Sequence, residues 1–227
     1  MRGRMPAALS SRSTMTLRTQ QSRWNCGIAA LTWMNDLKPT RTPQAFDAIA
    51  RDTAAFGFTM VSEPRVGAFL AALAASKPGG RLLELGTGTG HATAWLLSGM
   101  DASSRLDTVD TDASVVAIAK RHLDDDARVT FHIVDGAEFI HRASRSQFDL
   151  IYADAWPGKF IHLDEALALL RPGGMYVIDD LLPQPNWPDG HAPKVPALIS
   201  EIERRSEFVS VRLAWASGLM VVVRKAD

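Results

Sequence analysis

The strongest structural signal in this 227-residue chain is Leu82-Leu83-Glu84-Leu85-Gly86-Thr87-Gly88-Thr89-Gly90-His91. A short apolar run meets three glycines at alternate positions, and an amphipathic segment follows over 92–97. This order predicts a buried strand, a tight turn and a helix. Because glycine lacks a Cβ, the backbone of such a turn can approach a ligand closely. The stretch therefore predicts a ligand-binding loop at the end of a strand.

Short apolar runs alternate with amphipathic stretches on the C-terminal side of this loop. The predicted strands are RLLELG, RLDTVD, RVTFHIV, FDLIYAD and GMYVIDD, which begin at residues 81, 105, 128, 148 and 174. A helix predicted over 192–205 precedes two further apolar runs, which are joined by a Ser217-Gly218 turn. We predict an α/β fold with a seven-stranded sheet. Five parallel strands are followed by an antiparallel C-terminal hairpin, and helices cover both faces.

The chain divides into three predicted parts. Residues 1–24 form a basic leader that we expect to be flexible, and it lacks the continuous apolar centre of a secretory signal. Residues 25–78 are predicted to form a helical extension that packs on the core. The α/β domain is expected to span residues 79–227.

Composition excludes several classes of protein. There are 25 basic and 25 acidic residues, and this balance argues against bulk electrostatic binding of nucleic acid. The first 35 residues hold five Arg and no acid, so the remaining body is mildly acidic. A single cysteine, Cys26, excludes an internal disulfide framework and favours a reducing, cytoplasmic setting. No apolar run approaches the roughly 20 residues that would span a membrane.

The glycine spacing narrows the choice of ligand. A dinucleotide fingerprint would need a third glycine where His91 stands, and the G-K-[ST] of a P-loop is absent. The remaining pattern, E-x-G-x-G-x-G, resembles the first motif of class I S-adenosylmethionine-dependent methyltransferases. The resemblance implies a Rossmann-like fold and S-adenosylmethionine as the cofactor. It implies cofactor contacts from Glu84, Gly86, Thr87, Gly88, Gly90 and His91.

The next two predicted strands also end in carboxylates. Asp110, followed by Thr111, could accept hydrogen bonds from both ribose hydroxyls of a nucleoside. At the end of the third strand, the resemblance implies that Asp135, beside Gly136 and Ala137, binds the adenine amino group. Either aspartate could instead cap a helix.

Three further segments resemble the small-molecule O-methyltransferases of the catechol and caffeoyl-coenzyme A type. They span residues 60–64, 148–156 and 170–180, and the resemblance extends from about Met60 to the C-terminus. It implies that Val61 and Ser62 contact the methionine end of the cofactor, and that Asp154 also lies beside the cofactor. It also implies a small-molecule acceptor and allows a homodimer.

In that group an aspartate after the fourth strand and an Asp-Asn pair after the fifth bind a divalent metal, usually Mg²⁺. The matching positions are Asp154, Asp179 and Asp180, and oxygen ligands of this kind suit Mg²⁺. Such an ion would orient the acceptor hydroxyl and lower its pKa. This sequence departs from the pattern twice, because Asp180 replaces Asn and the catalytic lysine position holds Pro157. The nearest lysine is Lys159, which Gly158 could allow to turn back toward Asp154.

The predicted catalytic residues are Asp154, Lys159 and His162, the last as a candidate general base. Trp156 and Trp187 follow the fourth and fifth strands and could line an aromatic acceptor, although Trp187 could equally anchor its own loop. The sequence thus predicts O-methylation of a small acceptor, with neither nucleic acid nor membrane as partner. The alternative is a catalytically impaired S-adenosylmethionine-binding protein that acts as a sensor or structural subunit.

Overall fold

The computed structural model describes Asp36, Leu37, Pro39 and residues 41–226. The predicted leader over 1–24 lies outside the described residues, as do residues 25–35 of the predicted helical extension. From Leu37 onward the described residues belong to one compact unit.

Seven strands form a single sheet. They are β1 (Arg81–Leu85), β2 (Arg105–Asp110), β3 (Val129–Ile133), β4 (Phe148–Ala153), β5 (Leu170–Ile178), β6 (Phe208–Leu213) and β7 (Leu219–Arg224). Their order across the sheet is β3-β2-β1-β4-β5-β7-β6. Strands β1 to β5 pair in parallel, and β7 pairs antiparallel with β5 and β6. The predicted α/β fold, with its terminal antiparallel hairpin, is confirmed.

Seven α-helices of the described chain surround the sheet. They are α1 (Phe46–Phe56), α2 (Pro64–Ala75), α3 (His91–Gly99), α4 (Ala113–Leu123), α5 (Gly136–Arg142), α6 (Leu163–Ala168) and α7 (Val195–Glu203). The helix predicted over 192–205 begins instead as a 3₁₀ turn, Ala192–Lys194. Pro196 lacks the N–H that would bond to the Ala192 carbonyl, so regular α-helical bonding cannot start at Ala192. No helix within the described residues has the length and apolar character needed to cross a membrane.

Both faces of the sheet are buried. In β4, Leu150 and Tyr152 pack in the cluster that includes apolar residues of α1, α2 and α3. Ile151 and Ala153 point to the opposite face and pack with residues of α5, α6 and α7. All four side chains are fully buried. The unbroken apolar run of β4 therefore reflects a central strand that is covered on both sides.

The strand order reverses between β1 and β4. The chain leaves β1 for α3 on one face of the sheet, and it leaves β4 for α6 on the other face. Because the two connections diverge, a crevice opens beyond the carboxyl ends of these strands. The fold thus places the glycine loop and the residues after β4 at the same edge.

Truncation in the centre of the sheet should be far more costly than truncation at its edge. We expect Ile151→Ala to lower the free energy of unfolding by about 2–5 kcal/mol, because it leaves a cavity in the core. Val209→Ala on β6 is the control, since Val209 is 59% exposed, and it should cost less than about 0.5 kcal/mol. Urea denaturation measures both values, and equal losses would contradict this view of the core.

Candidate active site

The crevice beyond β1 and β4 contains a cavity of about 370 Å³. Its walls come from the loops after β1, β2, β4 and β5, from the segment before α2, and from the turn between β6 and β7. The predicted site residues that line it are Val61, Ser62, Gly86, Gly88, Asp110, Thr111, Asp154, Trp156, Lys159, Asp179 and Asp180. The volume is within the range of pockets that bind small molecules.

The glycine loop packs closely against the end of β4. Gly86 has a φ of 104°, and a Cβ added there would stand 2.7 Å from the carbonyl oxygen of Asp154. The backbone N–H of Asp154 donates to the carbonyl of Leu85 over 2.9 Å. Any side chain at position 86 would separate the two loops, and for this reason the position requires glycine.

Asp110 ties the glycine loop to the end of β2. Its Oδ2 accepts a hydrogen bond from the backbone N–H of Gly88 (2.9 Å), and its Oδ1 accepts one from the N–H of Asp112 (3.0 Å). The cap of α4 is Asp112, whose carboxylate accepts from the backbone N–H groups of Ser114 and Val115. Asp110 is therefore free of the capping role and stands at the rim of the cavity.

Glu84 lies beneath the glycine loop and not on the cavity wall. The side chain is fully buried, and its Oε2 accepts hydrogen bonds from Thr93 and Thr108, each over 2.6 Å. Thr108 also bonds the hydroxyl of Thr87 in the loop. Burial raises the pKa of Glu84 to about 8, and the two threonine hydroxyls oppose this shift. Glu84 thus supports the loop from below.

Several other predicted cofactor contacts do not line the cavity. Asp135 caps α5, since its carboxylate accepts from the backbone N–H of Ala137 (2.7 Å) and of Glu138 (3.4 Å). His91 is buried, and its Nδ1 lies 3.0 Å from the hydroxyl of Thr89. Seven of the predicted cofactor-binding residues do not line the cavity, and their contacts with the cofactor remain predictions. They are Glu84, Thr87, Gly90, His91, Asp135, Gly136 and Ala137.

The carboxylates after β4 and β5 share a hydrogen-bond network. Tyr152 Oη lies 2.5 Å from Oδ2 of Asp179 and 3.3 Å from Oδ2 of Asp154. The hydroxyl of Ser217 donates to Oδ1 of Asp179. Burial raises the pKa of both aspartates, and for Asp154 the neighbouring Asp179 adds to the increase while Lys159 opposes it.

Lys159 turns back into this cluster. Gly158 has a φ of 85°, and its carbonyl accepts a hydrogen bond from Tyr176 Oη over 2.7 Å. The Lys159 side chain is only 2% exposed, and its Nζ donates to the backbone carbonyl of Asp179 over 3.0 Å. The same Nζ stands 3.9 Å from Oδ1 of Asp154. The sequence left open whether Lys159 reaches Asp154, and the structure brings the two together.

The remaining predicted residues lie in different places. Trp156 lines the cavity, whereas Trp187 stacks on His191 at 4.3 Å between ring centroids and is not part of the wall. His162 borders a separate, larger cavity of about 680 Å³ beside α6 and α7. Its Nδ1 stands 4.0 Å from Oε1 of Glu165. A catalytic role for His162 remains a prediction without a place in the crevice.

Two members of the network, Tyr152 and Ser217, are not among the residues predicted from the sequence. Tyr152 lies two residues before Asp154, and the strand period of two could have indicated that both point the same way. Ser217 comes from the turn between β6 and β7, where no local pattern indicates a contact with Asp179.

Comparison with known proteins identifies the family of this chain. Residues 83–181 match the family model described as "Methyltransferase domain". A candidate O-methyltransferase of Mycolicibacterium vanbaalenii is 33% identical over 64% of this chain and 66% of its own length. One from Mycobacteroides abscessus is 31% identical over 71% of this chain and 80% of its own. Other mycobacterial relatives are matched over 54% of their length.

A crystal structure of an O-methyltransferase from Bacillus cereus in complex with S-adenosylhomocysteine has a similar fold. It superposes with a TM-score of 0.71, at 21% identity, and covers 82% of this chain and 93% of its own. The likeness establishes the Rossmann-like methyltransferase fold. The Mycobacteroides abscessus relative shows that the chain belongs to the O-methyltransferase family.

Replacing Glu84 should remove a component of the pH dependence of stability. Because the folded-state pKa of Glu84 is raised to about 8 from an ordinary value of 4.5, the folded state holds a proton that the unfolded state releases. Its contribution to the free energy of unfolding therefore falls between these pH values, by about 1.4 kcal/mol per pH unit. Glu84→Gln should become progressively more stable than the natural chain as the pH rises through this window.

The measurement is a set of urea denaturation curves at several pH values. Glu138→Gln serves as the control, since Glu138 lies on the exposed surface of α5. A constant difference between Glu84→Gln and the natural chain across the window would show that Glu84 does not titrate in this way.

Proposed function

We propose that this protein is an S-adenosylmethionine-dependent methyltransferase that acts on a hydroxyl group of a small molecule. The observation that carries the proposal is the shared cavity edge formed by Gly86, Gly88, Asp110 and Asp154. A glycine loop and an acidic strand end together suit a nucleoside. Family membership adds the chemistry of methyl transfer.

The cofactor would extend along the edge formed by β2, β1 and β4. The carboxylate of Asp110 would accept hydrogen bonds from the ribose hydroxyls, and Gly86 and Gly88, which line the same cavity, carry no side chain that would oppose the sugar. Val61 and Ser62 border the same cavity beside Asp154. This acidic environment favours a cationic sulfonium electrostatically.

The acceptor would enter on the side of Trp156 and Lys159. A lone pair of the acceptor oxygen attacks the methyl carbon, the bond between sulfur and methyl breaks, and its electron pair stays on sulfur. The acceptor proton passes to the carboxylate of Asp154, whose raised pKa makes it a stronger base. Catalysis then depends mainly on holding oxygen, methyl carbon and sulfur in line.

The divalent metal implied by the family resemblance does not fit the residues at this edge. Among the described residues, the three ligand atoms that lie within 4.8 Å of one another belong to His141, His162 and Glu165, near the surface. The oxygens of Asp179 already accept hydrogen bonds from Tyr152 and Ser217. No step of the proposed reaction is therefore assigned to Mg²⁺.

The alternative of a catalytically impaired sensor rested on the missing lysine at position 157. Lys159 weakens that argument, because its Nζ reaches the carboxylate cluster from a position two residues further along. A small-molecule acceptor, a cytoplasmic location and a homodimer remain parts of the proposal.

Cofactor binding can be tested at Asp110. Isothermal titration of the natural chain with S-adenosylmethionine should show one site, and Asp110→Asn should weaken binding about 10- to 100-fold. This loss corresponds to a hydrogen bond to a charged group, which contributes about 1.5–3 kcal/mol. Asp107→Asn is the matched control on the same strand, since Asp107 pairs with Arg81 and His132 instead. No binding by the natural chain would refute the proposed function.

Methyl transfer itself can be tested with a panel of catechols and other small hydroxyl compounds and radiolabelled S-adenosylmethionine. We expect Asp154→Asn to lower kcat at least about 100-fold, the usual contribution of a general base. Binding of the cofactor without transfer to any acceptor would instead favour the sensor.

A further inference from the structure

We propose that the ammonium group of Lys159 takes the place of a divalent metal at the carboxylate cluster, so that this enzyme binds its acceptor without a metal. The inference rests on the proposed function. The inference concerns the group that faces the acceptor oxygen. It implies that this chain differs from the metal-binding enzymes that its sequence resembles.

The loop after β4 is built to return Lys159 to the cluster. The backbone N–H groups of Lys159 and Phe160 both donate to the carbonyl of Trp156, which closes a tight turn. A Cβ at Gly158 would stand 2.5 Å from a methyl group of Leu85 and 2.7 Å from Tyr176 Oη. The loop therefore packs so closely on the sheet that only glycine fits, and the next side chain is directed inward.

Nζ of Lys159 lies beside the carboxylate cluster. It lies 3.0 Å from the carbonyl oxygen of Asp179 and 3.9 Å from Oδ1 of Asp154, within the cavity that Asp180 also lines. An isolated buried ammonium would be strongly unfavourable, and the surrounding carboxylates compensate for it. A divalent ion at the same carboxylates would lie beside this positive charge, which lowers their affinity for the ion.

The hydrogen bonds of Asp179 also favour a site without a metal. Its Oδ1 accepts from the hydroxyl of Ser217 and from the N–H of Asp180, and its Oδ2 lies 2.5 Å from Tyr152 Oη. Tyr152 and Ser217, which donate two of these hydrogen bonds, are themselves buried. Three of the roughly four acceptor positions of the Asp179 carboxylate are thus occupied within the protein, which leaves about one for any further ligand.

An ammonium can perform the positioning for which the related pattern uses a metal. Lys has three N–H donors, of which one is used by the Asp179 carbonyl. Another can donate to the acceptor oxygen and stabilise the negative charge that develops there as its proton leaves for Asp154. The methyl carbon then forms its bond to that oxygen while the sulfonium becomes a neutral thioether.

Manganese provides a direct probe, because free Mn²⁺ gives an electron paramagnetic resonance signal that decreases on binding and Mn²⁺ commonly substitutes for Mg²⁺ at oxygen sites. We expect the natural chain, saturated with S-adenosylhomocysteine, to leave the Mn²⁺ signal unchanged up to millimolar concentrations. Lys159→Met removes the charge and should bind Mn²⁺ roughly tenfold or more tightly. Lys120→Met, which removes a lysine from the surface of α4, should behave as the natural chain.

Two results would overturn the inference. One is binding of Mn²⁺ by the natural chain that is lost in Asp179→Asn, and the other is a Lys159→Met variant that folds but gains no affinity for Mn²⁺. The titration of the natural chain decides the first point even if the lysine variant fails to fold. Calorimetry with S-adenosylmethionine on the same samples tests the proposed function separately. A protein that binds Mn²⁺ at Asp179 and also binds the cofactor would refute only the role of Lys159.

Discussion

The contact between Gly86 and the carbonyl of Asp154 is the constraint on which the rest of the site depends. It joins the ends of β1 and β4 at the point where the strand order reverses, and it leaves no room for a side chain. Since the two connections then diverge to opposite faces, the crevice opens beside this contact. The glycine loop, Asp110 and the carboxylate cluster are all placed relative to it.

Burial of ionisable groups is the second organising feature. Glu84, Asp154 and Asp179 lie at or below the edge of the sheet, where burial raises the pKa of each. Two devices offset the cost. Threonine, tyrosine and serine hydroxyls donate to the carboxylates, and Lys159 supplies one compensating charge. These groups hold a preorganised polar surface in place before any ligand arrives.

The cation at the carboxylate cluster cannot be inferred from membership of the O-methyltransferase family alone. The sequence keeps acidic residues at the metal-binding positions of the catechol-type pattern, and the structure brings Nζ of Lys159 to 3.9 Å from Asp154 and to the backbone carbonyl of Asp179. A family motif therefore specifies where charge is placed at the sheet edge. The partner of that charge depends on how the neighbouring loop folds.

The sequence by itself determined the fold and the position of the glycine loop and Asp110 at one edge of the sheet. These features follow from local patterns, namely the alternating apolar runs, the glycine spacing and the acid at the end of β2. A local pattern predicts the backbone conformation of the residues that form it. The sequence did not determine that Glu84 lies beneath the loop or that Lys159 reaches Asp154. Those facts depend on which side chains meet across the sheet, as when Ser217 approaches Asp179 from 38 residues away. Only tertiary packing decides such contacts, because neither of the two segments has a sequence pattern that indicates the other as its partner.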